Sequence, residues 1–260
     1  VYEIRYNDLG IDKLFGELRL GINDDKEDSN FHSNGYAKAW ISVSNRVLYS
    51  DEIYYLDFIE DNLGLELHNI TALDLCLDLS CDVARRLIRN KNVTTFLNTK
   101  EVKNRNEDRP EITYITSGNM NKDKYLTVSI KQKKAIKDKG KGTTLTAYNK
   151  KAEIANSSGK KYIEEFYNNP GKLHRLEVHL NNDEVKEYLN RTKQELSFYS
   201  LIDNRFLYDL FDQTLNSLIR FEYKGIKLDW DDLLLGVITT TPEEDSVLKL
   251  TSSKRTKKVA

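Results

Sequence analysis

The chain has 260 residues, 40 of them Lys or Arg and 41 Asp or Glu, for a formal net charge of −1 and a mean hydropathy of −0.62. That length buries a core without disulfide or zinc staples, and Cys76 and Cys81, with four residues between them and no second pair, fit neither a secreted disulfide framework nor a four-ligand zinc module, so a reducing, cytoplasmic interior is expected. No apolar run approaches the roughly 20 residues a spanning helix needs, no signal-peptide pattern opens the chain, and a start at Val1 rather than Met is what a processed or excised piece would show.

In chain order, Phe15 to Ile22 and Gly35 to Tyr49 alternate or run apolar and β-branched, as strands joined by a loop do. From Asp51, the residues Ile53, Leu56, Ile59 and Leu63 recur at helical spacing and Gly64 supplies a stop, which predicts a helix packed on the sheet. Ile70 to Leu79 is the clearest strand: Leu73, Leu75, Leu77 and Leu79 share one face, leaving Asp74, Cys76 and Asp78 on the other. Asp82 to Asn90 reads as a short helix and 98–112 as a polar loop. Tyr125 to Ile130 and Thr143 to Tyr148 read as a hairpin connected through the lysines of 131–142. His174 to Leu180 is a strand with Leu176, Val178 and Leu180 on one face and Arg175, Glu177 and His179 on the other; from Asp183 to about Tyr223 the pattern turns helical, and the polar tail after Pro242 reads as disordered. The expected fold is α+β, an antiparallel sheet with helices segregated to one side, formed as one domain over 1–240 with a basic tail over 241–260.

Charge is unevenly spread. Residues 1–80 carry 16 acidic and 6 basic side chains, whereas 120–161 hold 12 Lys against three carboxylates. Such a basic stretch is either a polyanion-binding surface that tracks phosphates or a solvated lysine-rich loop.

Three strands thus project Asp74 and Asp78, then Thr144, Thr146 and Tyr148, then Arg175, Glu177 and His179 onto one polar face. Carboxylates flanked by leucines in mid-strand are costly unless solvated, paired or bound to a cation. Two arrangements satisfy them: a hard-oxygen site for Mg²⁺ or Mn²⁺ built from Asp74, Asp78 and Glu177, with His179 as a fourth candidate ligand, or an ion-pair cluster neutralised by Arg175 and nearby lysines. Tyr148, followed by Lys150 and Lys151, points to the same face; a phenol is a poor nucleophile at neutral pH unless a cation lowers its pKa, and a lone tyrosine before lysines is otherwise a cover for apolar surface. The segment GKGTT at 140–144 lacks phosphate-loop spacing, and the four histidines show no hydrolase triad.

Taken in series, ITALDLCLD at 70–78, TLTAYNKKAE at 144–153 and KLHRLEVHLNNDEVKEY at 172–188 resemble the rolling-circle replication initiators of Gram-positive plasmids, the Rep_trans group. Initiators of filamentous phages look similar over the same segments, so the resemblance covers about residues 40–190. It implies a curved antiparallel sheet with helices on one face and an active site on the polar opposite face, Tyr148 as nucleophile, with Lys150 the adjacent cation in this sequence, and Asp74, Asp78 and Glu177 as ligands of a divalent metal, Mg²⁺ or Mn²⁺, to which His179 is the candidate addition. His179 stands where the family often has an acidic residue. DNA would be held by Lys131, Lys133, Lys134, Lys137, Lys139, Lys141, Lys151 and Arg175. The implied activity is metal-assisted nicking and strand transfer at a replication origin, presented as a single strand or hairpin, in a bacterial cytoplasm, with a host helicase and a second copy of the chain as further candidate partners and no membrane. A conjugative mobilisation relaxase and a non-catalytic nucleic-acid-binding protein of the same fold are the alternatives.

Overall fold

In the computed structural model the described residues are 1–21, 38–65, 67–88, 94–97, 111–116, 126–131, 142–224 and 226–230. The chain divides into two compact units, Val1–Phe58 and Ile59–Ala260, where the sequence suggests one domain over 1–240; the tail 241–260 lies outside the described residues.

The first unit is a three-stranded antiparallel sheet in the order β1-β2-β3, with β1 at Tyr2–Asp8, β2 at Ile11–Gly21 and β3 at Lys38–Val43. The first strand is not among those expected. Its hairpin closes over Leu9 and Gly10, both with positive φ, the two-residue turn whose twist suits paired strands. Gly16 has no alternative, because a Cβ there would lie 2.4 Å from the Ser42 carbonyl oxygen of β3. The strand expected to run to Tyr49 stops at Val43; Val47–Tyr49 and Asp51–Tyr54 form 3-10 turns, and helix α1, Tyr55–Leu63, follows and ends before Gly64 in the left-handed conformation.

The second unit holds β4 (Ala72–Leu79), helix α2 (Val83–Ile88), β5 (Thr94–Leu97), β6 (Glu111–Thr116), β7 (Leu126–Lys131) and β8 (Thr144–Tyr148). A short helix α3 (Lys150–Glu153), a π-helical turn (Ile154–Ser158), α4 (Lys161–Phe166) and β9 (His174–Asn181) come next. The chain continues through α5 (Asn182–Thr192), α6 (Phe198–Ile202), α7 (Asn204–Leu218), β10 (Ile219–Tyr223) and β11 (Ile226–Leu228). Five strands make one antiparallel sheet in the order β4-β9-β8-β7-β6, and three make a second, β11-β10-β5. The fold is α+β with antiparallel sheets. The paired β7 and β8 flank the lysine run as expected, while β6 begins inside the segment read as loop.

Alternation decides which residues enter the core. Leu75, Leu77 and Leu79 of β4, Val128 and Ile130 of β7, Leu145 and Ala147 of β8, and Leu176, Val178 and Leu180 of β9 are all buried. They share one cluster with Val83, Ala84 and Leu87 of α2, Val185 and Tyr188 of α5, and Leu207, Leu210, Phe211, Leu215 and Leu218 of α7. Asn181 starts α5 with a capping box, its side chain accepting from the Asp183 amide while Glu184 reaches back to the Asn181 amide. The helical pattern expected to reach Tyr223 ends at Leu218, because IRFEY has period two: Ile219 and Phe221 are buried, and the strand they form pairs with β5.

Candidate functional site

Three adjacent strands set out the candidate residues in rungs. Across β4, β9 and β8 the register places Asp74, His179 and Thr144 on one rung, Cys76, Glu177 and Thr146 on the next, and Asp78, Arg175 and Tyr148 on the third. All nine alternate with core residues, so they occupy the sheet face opposite that cluster.

Side-chain pairing follows the rungs. The Arg175 guanidinium donates from Nε to Asp78 Oδ1 and from Nη2 to Asp78 Oδ2, each at 2.7 Å, and both side chains are almost wholly buried. Tyr167, just past the end of α4, donates its hydroxyl to Asp78 Oδ2 at 3.1 Å. On the middle rung two groups reach one oxygen: the Tyr148 hydroxyl donates to Glu177 Oε2 at 3.1 Å and Cys76 Sγ lies 3.6 Å from it. At the exposed end His179 Nδ1 sits 2.6 Å from Asp74 Oδ1.

Burial governs the ionisation of two groups on this face, Tyr148 and Cys76. It pushes the Tyr148 phenol above its ordinary pKa, the Glu177 carboxylate adds to the rise, and the Arg175 cation opposes it. The Cys76 thiol is raised for the same first reason. Where a cation lowering the pKa is what a tyrosine nucleophile would want, the balance here favours the neutral phenol, and its hydrogen-bond acceptor is Glu177. Lys150 is buried, with Nζ 5.8 Å from the centroid of the Tyr148 ring, but it is paired with Glu153 Oε2 at 2.6 Å, which also accepts from Ser158.

The four expected metal ligands are therefore divided. Both oxygens of Asp78 are on Arg175, Asp74 and His179 hold each other at the far rung, and Glu177 takes the Tyr148 proton donor; among the described residues no three His, Cys, Asp or Glu side chains are grouped as a metal ion would need. As placed, these side chains pair with one another and do not converge on one point. The arrangement follows the ion-pair alternative for Asp78, with Arg175 as the neutralising cation.

The expected DNA contacts also separate. Arg175 is buried in its pair with Asp78 rather than presented to a strand. Lys151 Nζ donates to the Pro170 carbonyl at 2.7 Å and lies 3.6 Å from Glu164 Oε1. Lys131 stands on β7 opposite Glu111 and Thr144, while Lys133, Lys134, Lys137, Lys139 and Lys141 lie outside the described residues. Two participants escape the sequence reading. Glu153 compensates Lys150 from one helical turn away, an i,i+3 spacing that was visible; Tyr167 reaches Asp78 across 89 positions of sequence from just past the end of α4, and no local pattern announces that contact.

No family model, curated protein or solved structure matches the chain. Among the described residues no helix is long and apolar enough to cross a membrane.

Proposed function

We propose that the chain is a DNA-nicking and strand-transfer protein that initiates rolling-circle replication, with Tyr148 as the nucleophile and Glu177 as its general base. The observation that carries the reading is the 3.1 Å hydrogen bond from the Tyr148 hydroxyl to Glu177, made on neighbouring central strands that also bear the motifs behind the resemblance. A nucleophile within hydrogen-bond reach of a carboxylate is the arrangement that in-line displacement needs. In this reading the curved, polar face of the five-stranded sheet receives the scissile phosphate. The Tyr148 oxygen bonds to phosphorus as the phosphorus–O3′ bond breaks; the phenolic proton passes to Glu177 and the leaving 3′-oxygen takes a proton from water. The products are a 5′-phosphotyrosyl link and a 3′-OH able to prime a polymerase. Lysines 131–141 hold the strand through its phosphates and position it without reading sequence.

One observation favours the second reading, a non-catalytic nucleic-acid-binding protein of the same fold: the Tyr148 phenol is held neutral by burial and its neighbouring cation is already paired with Glu153. Covalent trapping separates the two. Single-stranded origin oligonucleotides, incubated with the chain with Mn²⁺ and with chelator, should yield a protein–DNA adduct that Tyr148→Phe abolishes and Glu177→Gln slows by about 10²- to 10⁴-fold, while both variants still bind DNA. An adduct that survives Tyr148→Phe places the nucleophile on another residue; binding with no adduct in any condition establishes the non-catalytic reading.

A further inference from the structure

The second unit holds a cavity of about 240 Å³ beside α5. Along that helix Asn182, Lys186 and Asn190 follow one another at i,i+4 spacing and so stand in a row that lines the cavity. Val185 and Leu189, next to the row, pack into the apolar core and with Ile70 give the cavity an apolar floor. The floor places it on the helical side of the five-stranded sheet, apart from the face that carries Tyr148. The helix ends at Lys193 in the left-handed conformation, and the Gln194 amide donates to the Leu189 carbonyl at 3.2 Å; the chain turns back there, so that Gln194 and Leu196 line the same cavity. The segment leading into β4 adds Asn69. Ile70 and Val185 are buried while Lys186, Asn190 and Gln194 are exposed, so an apolar floor lies under a polar mouth.

Four carboxamides thus meet at one cavity, and among the described residues the side chains of Asn69, Asn182, Asn190 and Gln194 have no hydrogen-bond partner. Each offers two N–H donors and an acceptor oxygen. No described lining residue is acidic, and Lys186, which has no ion-pair partner among the described residues, brings an ammonium group to the mouth. The cavity is smaller than the roughly 300–1,000 Å³ that takes a drug-sized ligand, so it suits a single ring system. The ligand that answers all four features has a flat apolar face, an edge that both donates and accepts, and an anion attached. A nucleotide is that ligand: Asn and Gln read the edge of a base, the ring face packs on side chains when the base is unstacked, and a lysine contacts the phosphate.

We propose that this cavity binds one unpaired nucleotide of a DNA single strand, its base over Ile70 and Val185, its edge on the carboxamides and its phosphate on Lys186. The inference rests on the nucleic-acid role proposed above and not on Tyr148 as nucleophile. A base held in a duplex cannot enter, because its face is stacked and its edge paired. A free nucleotide carries the same chemistry, and the test separates the two sources.

The full chain, labelled with ¹⁵N, is titrated with short single-stranded homopolymers of dA, dC and dT and separately with the free deoxynucleoside 5′-monophosphates, while NMR follows the side-chain amide resonances of Asn182, Asn190 and Gln194 and fluorescence anisotropy gives strand affinities. The strands should shift these resonances, and the monophosphates should do so only at far higher concentration. Lys186→Gln should flatten the dependence of log affinity on log salt by about 0.7, the contribution of one single-strand phosphate contact. Asn190→Leu combined with Gln194→Leu alters two exposed positions, so the fold should stand; it should weaken the preferred homopolymer at least fivefold and level the preference among bases. Strands that bind without shifting these resonances, or an affinity unchanged in the double variant, sink this inference and leave the nicking reading standing, as covalent trapping on Tyr148 then shows. Monophosphates bound as tightly as the strands make the ligand a free nucleotide and overturn the assignment to DNA. If the wild-type chain binds no strand, the nucleic-acid role itself falls and takes the proposed use of the cavity with it.

Discussion

Removing Asp78 should be far more damaging than removing Asp74, although the two carboxylates lie four residues apart on one strand face. In Asp78→Ala the Arg175 guanidinium stays buried, with its side chain 4% exposed, and loses both carboxylate bonds at once. Breaking such a pair from one side costs about 3–5 kcal/mol, and losing the Tyr167 hydrogen bond to Asp78 adds roughly 1 kcal/mol. The second unit runs from Ile59 to Ala260, and at that size 1 kcal/mol moves the melting temperature by about 2–4 °C, so the loss should be roughly 10–20 °C. In Asp74→Ala the lost partner is His179, and the two side chains are 59% and 37% exposed; a surface pair of that kind contributes about 0–1 kcal/mol. Melting followed by circular dichroism at neutral pH reads both. A third protein completes the argument: Asp78→Leu combined with Arg175→Met removes the charges together and should recover most of the stability that Asp78→Ala loses. Equal shifts for Asp74→Ala and Asp78→Ala, or a double variant no better than Asp78→Ala, would refute the claim that this pair is a buried, mutually dependent unit.

Two further outcomes are expected. His174 is buried, its Nδ1 lacks a hydrogen-bond partner and lies 3.8 Å from Asp82, and burial pulls its pKa below the ordinary value while Asp82 opposes the fall. The unfolded chain then binds the proton more readily, so the His174 contribution is complete above the unfolded value of about 6.5 and is lost as pH falls from there through the folded value; urea melts over pH 5–8 should slope downward toward acid, and an unchanged slope in His174→Gln would assign the effect elsewhere. For the lysine run, replacing Lys131, Lys133 and Lys134 by Ala should flatten the dependence of log affinity on log salt by about two units, at roughly 0.7 per single-strand phosphate contact, and weaken all sequences alike; a slope equal to wild type in fluorescence anisotropy would make the run a solvated loop.

Much of the second unit was legible because its strands are strongly patterned. ITALDLCLDL and HRLEVHL alternate without interruption, and the faces read from them are the faces observed. The first strand was lost for a local reason. YEIRYND alternates too, but its turn is Leu9–Gly10, without the Asn-Gly or Asp-Gly signature that marks a two-residue hairpin. The strand at Ile219–Tyr223 was lost to its neighbour: fifteen helical residues precede it directly, and a five-residue alternation is easily absorbed into that longer pattern. At the site, parity brought Asp74, Asp78, Arg175, Glu177 and His179 to one face correctly, yet said nothing about which would touch.

Register decides that, and here the charges themselves select it. A slip of two residues between β4 and β9 keeps every leucine in the core, so the apolar pattern does not forbid it. In one direction the slip would set Asp74 opposite Glu177 and Cys76 opposite Arg175; in the other it would set Asp78 opposite Glu177 and Cys76 opposite His179. Each places like charges directly across the ladder, which is unfavourable, and each deprives Arg175 of a carboxylate opposite it. The observed register alone sets both aspartates against nitrogen bases, Asp74 against His179 and Asp78 against Arg175, and leaves Glu177 facing a thiol on one side and a threonine on the other. Glu177 is then the one carboxylate of the three with no basic side chain across the ladder, and Tyr148, one rung along on β8, is close enough to donate to it. The same pairing that gives each aspartate a basic partner therefore leaves Glu177 to accept the Tyr148 hydrogen bond, so the acceptor assigned to Tyr148 in the proposed reaction follows from the strand register and not from any residue's identity taken alone.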